Sequence, residues 1–270
     1  MITRVVATLA AFALWSFGSA WGDGRAPTVA DLARIVKVGD LHFSPDGKTL
    51  AYVETRANVD SDEYESEIEL IAVSGADARP LTRRHHARSP QWSPSGDHLG
   101  FLAPDADKIT QLYVMPMAGG DALQLTKGKD GVHQFAWSPD GASIAFAMAD
   151  PKPELKGEER FRTAFKVGND DITTQEAPRP VHLWLVAAEG GEPKRLTSGT
   201  WSLPSSLPPG PPSSPIAWSR DAKSIVFVRQ ETPSTGESSG AVRRSPPLDR
   251  RDRDDHSQLF ANMARGDGST

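Results

Sequence analysis

One short turn is written four times along this chain, and that repetition constrains its fold more than any other feature. The copies are FSPDG at 43–47, WSPSG at 92–96, WSPDG at 137–141 and WSRDA at 218–222. Serine leads, proline presets the second dihedral, aspartate favours the third position, and glycine accepts the positive φ from which a strand can resume. Each copy therefore predicts a type I turn closing a β-hairpin. The returning segments are TLAYV at 49–53, HLGFL at 98–102, SIAFA at 143–147 and SIVFV at 224–228. Leu50 with Tyr52, Leu99 with Phe101, Ile144 with Phe146 and Ile225 with Phe227 share one face of these strands. Ala51, Gly100, Ala145 and Val226 take the other, so both faces are apolar. Strands of that kind are expected between covering layers.

A second repeat follows the first three hairpins. IELIAVSGADARPLT (68–82), LYVMPMAGGDALQLT (112–126) and LWLVAAEGGEPKRLT (183–197) align without a gap, with Gly75, Gly119 and Gly190 coincident and each segment ending in Leu-Thr. Strand, glycine turn and short strand add a second hairpin to the first, which makes a four-stranded unit. The turns are separated by 49, 45 and 81 residues. The first two spacings match the roughly 40 to 50 residues of a four-stranded propeller blade, and the third is a blade stretched by insertion. The fold expected is all-β, an incomplete β-propeller of about three and a half four-stranded blades over residues 28–230. A short helix is expected before it: Thr28 sits as an N-cap with Asp31 three residues on, and Leu32, Ile35 and Val36 share a face.

Connections between second and third strands are uneven: 14 residues from Glu54 to Glu67, 9 from Ala103 to Gln111, and 35 from Met148 to His182. Insertions thus gather on one rim, where propellers commonly carry binding loops. Within the longest, KGEERFRTAFKVGNDD interleaves charge with Phe161, Phe165 and Val167. It reads either as a substrate or partner contact or as a solvated excursion with anchoring apolar residues.

Composition excludes some partners. A net charge of -5 gives no basis for nucleic-acid or polybasic membrane binding. With no cysteine, disulfides and thiolate metal sites are impossible. Residues 1–20 read as a signal peptide: Arg4, an apolar run from Val5 to Phe17, then small residues Gly18 and Ala20 before a cut. Thirteen apolar residues fall short of the roughly 20 that span a bilayer, so a periplasmic or secreted location is expected, without a stable membrane span after cleavage.

Candidate chemistry is sparse. The literal GxSxG at Gly236 to Gly240 would make Ser238 a nucleophile, with Asp249 or Asp255 and then His256 following in order. No apolar strand leads into it, no helical period follows, and only 30 residues remain after it, so it is rejected as catalytic. His85 and His86 are adjacent in TRRHHARS, where side chains of an extended segment diverge, which disfavours a shared metal. Asp60, Asp62, Glu63, Glu65 and Glu67 form an acidic loop that lacks calcium-hand spacing. Trp92, Trp137, Trp184 and Trp218 occupy repeat positions and point to packing between blades. No catalytic, cofactor-binding or metal residue is assigned, and no cofactor is expected.

The opening TVADLARIVKVGDLHFSPDGKTLAYV, the later FKVGNDD, and LYVMPMAGGDALQLT together resemble the N-terminal propeller part of prolyl oligopeptidase family serine peptidases, of the dipeptidyl-peptidase and acylaminoacyl-peptidase types. The resemblance covers about Thr28 to Arg229. It implies a propeller that admits peptides toward a separate α/β-hydrolase domain carrying Ser, Asp and His. That domain is not found in these 270 residues, so the chain is expected to be inactive alone. A second reading is a non-enzymatic periplasmic interaction propeller similar to the Tol-system propeller protein. Residues 231–270 are rich in Arg, Asp, Ser, Pro and Gly and are expected to form a disordered tail, or to lie out of the ancestral reading frame. Open blade edges predict marginal stability or self-association.

Overall fold

The computed structural model describes residues 28, 31, 34–75, 77–82, 86–161, 164, 177–204, 215–233 and the strand at 241–244. Its strands form four antiparallel sheets, each a simple meander in chain order. Blade 1 contains β1 (Val36–Phe43), β2 (Thr49–Asn58), β3 (Glu63–Ala72) and β4 (Arg79–Pro80). Blade 2 contains β5 (Arg88–Trp92), β6 (His98–Pro104), β7 (Thr110–Pro116) and β8 (Leu123–Gln124). Blade 3 contains β9 (Val132–Trp137), β10 (Ser143–Ala149), β11 (Val181–Ala187) and β12 (Lys194–Arg195). The fourth sheet has three strands, β13 (Ala217–Trp218), β14 (Ile225–Arg229) and β15 (Ala241–Arg244). The expected incomplete propeller is therefore what the chain forms, with one difference at its end. Strand β15 pairs with β14 inside the stretch expected to be tail.

Each repeated turn is built as its residues dictate. Gly47, Gly96 and Gly141 donate their backbone N–H to the carbonyl of the leading serine and adopt φ of +69°, +77° and +70°. The serine hydroxyl bonds the aspartate two residues on at 2.6 Å in three copies, through Asp46, Asp140 and Asp221. In WSPSG the missing aspartate is replaced by Asp97, the residue just before β6, which accepts from Ser93 at 2.8 Å. The fourth copy places Ala222 at φ +56°, a region that costs a residue with a Cβ about 1 kcal/mol or more.

A second recurring device closes each blade. Thr82, Thr126 and Thr197 accept the N–H of Ile68, Leu112 and Leu183 at 3.3, 3.0 and 2.9 Å, so the Leu-Thr ending latches the fourth strand onto the third. Between blades the tryptophans act in series. Trp92 Nε1 donates to the His42 carbonyl at 3.0 Å, Trp137 to Gln91 at 3.1 Å and Trp218 to Ala136 at 3.2 Å. Every one of these tryptophans reaches back to the residue preceding the aromatic of the blade before. The expectation of inter-blade packing thus acquires a specific hydrogen bond.

Apolar contact fills the seams. Ala51, Val53, Ile68 and Leu70 of blade 1 meet Leu99, Phe101 and Tyr113 of blade 2. Leu102, Leu112 and Val114 of blade 2 meet Phe135, Ile144 and Phe146 of blade 3. At Gly100 an added Cβ would lie 2.8 Å from the Phe135 ring, which explains glycine where blades 1 and 3 carry Ala51 and Ala145.

Three expectations are corrected. The expected helix lies mostly outside the described residues; Asp31 is helical and accepts the N–H and hydroxyl of Thr28 at 2.7 and 2.8 Å, but the extent is shorter than expected, since Val36 already begins β1 and Ile35 is exposed. Leu32 lies outside the described residues. The first insertion largely vanishes, because β2 and β3 extend until only residues 59–62 remain between them; the acidic loop is mostly strand. Phe161 does not anchor the long connection, being 75% exposed in a short 3₁₀ turn, Gly157–Phe161. Phe165, Val167 and the FKVGNDD segment lie outside the described residues.

Candidate functional site

The first strands of successive blades lie side by side, with β1 against β5 and β5 against β9. Residues near the starts of these strands therefore share the rim at which the long connections emerge. Counting back four positions from the aromatic of each turn gives Gly39 in blade 1, Arg88 in blade 2 and His133 in blade 3. Arg88 pairs across the ladder with Leu102, whose side chain faces blade 3. Its side chain is thereby on the blade 3 side, where its charge acts on His133.

Two bulges shape this rim. β1 shifts register between Gly39 and His42, and β5 between Arg88 and Gln91. Asp40 and Ser89 occupy the bulges at φ +49° and +54°. Non-glycine residues in that region are strained and need a local partner. Here the partner is mutual: the Ser89 N–H donates to Asp40 Oδ2 at 3.1 Å, joining blades 1 and 2. Deeper in the seam of blades 2 and 3, Gln91 Nε2 donates to the Phe135 carbonyl at 2.9 Å.

Arg179, at the end of the long connection, ion-pairs with Asp130 and donates to the Asp150 carbonyl, bringing that connection to the rim. Arg88 is half-buried, and among the described residues its side chain has neither an ion pair nor a hydrogen bond. Burial lowers its pKa while the charge of Asp40 opposes the change. His133 is reached by solvent but crowded by the inner strands. That desolvation, then the charges of Arg88 and Arg179, push its imidazole below the ordinary value, with Asp130 opposing. The rim therefore holds a cation without an acceptor beside an uncharged imidazole.

A second polar cluster lies within blade 3. His182 is fully buried, with Nδ1 3.2 Å from Thr197 Oγ1 and Nε2 3.2 Å from the Gly199 carbonyl. Asp150 stands 3.7 Å from Nε2 and is bound by Arg195 at 2.7 Å. The matching place in blade 2 is held by Gln111, which accepts from Thr126 at 2.7 Å and donates to the Gly128 carbonyl at 2.7 Å and to Asp105 at 3.0 Å. A neutral histidine protonated on Nε2 reproduces the donor and acceptor of that amide. The cluster is a variant of a blade latch, and its chemistry is structural.

Two clefts lie between neighbouring blades. One of about 770 Å³ lies beside Leu81, Phe101 and Met115, and one of about 590 Å³ beside Leu125, Phe146 and Trp184. They occur at matching places in the repeat, which marks them as a product of blade geometry.

Ser238, Asp249, Asp255, His256 and His85 lie outside the described residues. His86 is 3.7 Å from Glu63, and Asn58 donates to Glu65 at 2.7 Å, so these members of the histidine pair and the acidic stretch have ordinary local partners. Among the described residues no three histidine or carboxylate side chains gather as a metal site. Arg88 and His133 were missed because the repeat was followed forward from each turn. Aligning backward would have placed both in one column.

No family model matches the sequence. The chain is 30% identical over 192 residues to the uncharacterized peptidase YuxL of Bacillus subtilis, an alignment covering 63% of this chain and 28% of that protein. It is 28% identical over 132 residues to the uncharacterized protein YidR of Escherichia coli, covering 44% of this chain and 32% of the other. The chain thus spans less than a third of the length of these curated relatives. In fold it is similar to the uncomplexed acylaminoacyl peptidase of Pyrococcus horikoshii, with a TM-score of 0.55, 17% identity, and 81% of this chain against 32% of that one. A puromycin-hydrolyzing peptidase of Mycobacterium tuberculosis gives 0.54 at 16% identity, covering 79% and 30%. The class defined by the fold is a partial β-propeller. Its resemblance to the propeller part of prolyl oligopeptidase family peptidases, expected from the opening segment and the repeats, is borne out by these likenesses.

Proposed function

We propose that this chain is the peptide-admitting propeller portion of an exported serine peptidase of the prolyl oligopeptidase type, and that these 270 residues do not hydrolyse peptides by themselves. The observation that carries the reading is the 30% identity with a peptidase of which the aligned region makes up 28%. Inactivity follows from chemistry. Acyl transfer by Ser, His and Asp needs a strand-to-helix elbow and an oxyanion hole, and the stretch around Ser238 offers neither pattern. The interaction-propeller alternative would engage a folded protein and leave short peptides unbound.

The purified chain is expected to show no turnover of aminoacyl or dipeptidyl chromogenic substrates. Turnover abolished by Ser238→Ala would overturn this. Short peptides should bind while folded proteins do not, as read by calorimetry; the reverse would favour the alternative. Among the described residues no helix is long and apolar enough to cross a membrane. Export through residues 1–20 is part of the proposal, and a periplasmic product beginning at Trp21 would support it. Self-association is also part of it. The outer side of β1 exposes Val38, Leu41 and Phe43 at 52, 57 and 62%, a surface another blade can cover. A concentration-independent monomer in sedimentation would count against that element.

A further inference from the structure

We infer that Arg88 and His133, side by side at the rim of the seam between blades 2 and 3, form a receptor for a carboxylate carried by a bound peptide. The inference rests on the peptide-admitting reading above and gives it a chemical specificity. Its first support is an unanswered charge. A half-buried guanidinium presents a fork of five donors, and leaving such a group without an acceptor is unfavourable. Among the described residues the Arg88 side chain has no hydrogen-bonded partner, whereas the nearby carboxylates are engaged: Asp40 accepts from the Ser89 N–H and Asp130 holds Arg179. A carboxylate matches the fork in shape and charge.

The second support is rigidity. Gln91 to Phe135 and Trp137 to Gln91 hydrogen bonds cross the same seam, and Leu102 with Val132 packs beneath it, so the distance between the two blades is fixed before any ligand arrives. Arg88 and His133 each stand four residues before the aromatic of their turn; His133 is the bulged residue of β9 between the Val132–Met148 and Gln134–Ala147 pairs, and at Gly39 of blade 1 an added Cβ would meet no atom within 4 Å. Arg179 closes the far side, tethered by Asp130 at the end of the longest connection.

His133 makes the site sensitive to pH. Crowding and the charges of Arg88 and Arg179 keep its imidazole neutral, opposed by Asp130, with Asp40 the remaining charge nearby. A bound carboxylate adds the negative charge that favours protonation, so binding takes up a proton and strengthens as pH falls below neutrality.

The test is calorimetric titration of the intact chain with tetra-alanine as free acid, tetra-alanine C-terminal amide, and an acetylated amide carrying one central glutamate. The free acid should bind at least about tenfold more tightly than the amide, the ratio expected for a charge-assisted hydrogen bond. Glutamate-peptide binding at the level of the free acid would assign the carboxylate to a side chain, and binding at the level of the amide would assign it to the C-terminus. Arg88→Gln should abolish the preference. Arg88→Lys should retain part of it, and His133→Gln should remove its pH dependence, with near-ultraviolet dichroism confirming that each variant is folded. Equal binding of acid and amide would overturn the carboxylate receptor and leave the peptide gate standing. A preference that survives Arg88→Gln would likewise overturn it. Failure of every peptide to bind would overturn the gate itself.

Discussion

Blades 1 and 2 carry the same turn, the same strand pattern and the same Leu-Thr latch, yet their second strands have different surroundings. In β6, Leu99, Phe101, Leu102 and Ala103 are all buried, because blade 1 covers one face and blade 3 the other. In β2 only Ala51 and Val53 are buried, both turned toward blade 2, while Leu50 and Tyr52 are partly open. Sequence alternation alone makes these strands look alike. Burial is set by whether a neighbour exists, and most strand stability comes from what packs on each face.

The largest test of that contrast is truncation of an aromatic in each blade. Phe101→Ala should lower unfolding free energy by about 3–5 kcal/mol in denaturant titration, whereas Phe43→Ala, on the open side of blade 1, should change it by less than about 1 kcal/mol. A large loss at Phe43 would mean that its face is covered in solution. Next in size is the inter-blade bond. Trp137→Phe removes the donor to the Gln91 carbonyl and converts the blade 3 aromatic into the kind found at Phe43, for an expected loss of about 0.5–1.5 kcal/mol.

A gain of similar size is expected at the fourth turn. Ala222→Gly relieves the positive φ that glycine meets in the other three copies, and should stabilise the chain by about 1 kcal/mol.

The smallest effect concerns Gln111 and His182, matching latches of blades 2 and 3. Burial first, then the charge of Arg195, lowers the His182 pKa from its ordinary 6.5, with Asp150 and the Gly199 carbonyl opposing. The unfolded chain therefore binds the proton at higher pH than the folded one. Stability should be complete above the ordinary imidazole value, fall as pH drops from there to the lowered folded value, and level off below it. His182→Gln should flatten that part of the thermal stability profile; an unchanged profile would assign the pH dependence to other groups.

Much of the fold was legible because its signals are local. The serine, aspartate and glycine of each turn bond within a few residues, and the glycine-centred second hairpins align without a gap. Errors arose where local signals compete with pairing. Ile35 and Val36 fit a helical face, but β1 recruits Val36 through its pairing with Arg56. Glu63, Glu65 and Glu67 look like a solvated loop, yet the β2–β3 ladder extends through them because one side of blade 1 tolerates polar residues. The candidate site was less legible than the fold. Arg88 and His133 lie 45 residues apart and carry no motif spacing.

By itself the sequence determined the repeat: turn chemistry and strand alternation are encoded within a few residues, and four copies leave little alternative to stacked hairpins. Only the tertiary structure decided which faces of those hairpins are covered, and that a guanidinium and an imidazole from successive blades share one rim, the charge of the first acting on the second. Such contacts depend on the stacking of one sheet against the next, and the order of residues along a strand does not contain it.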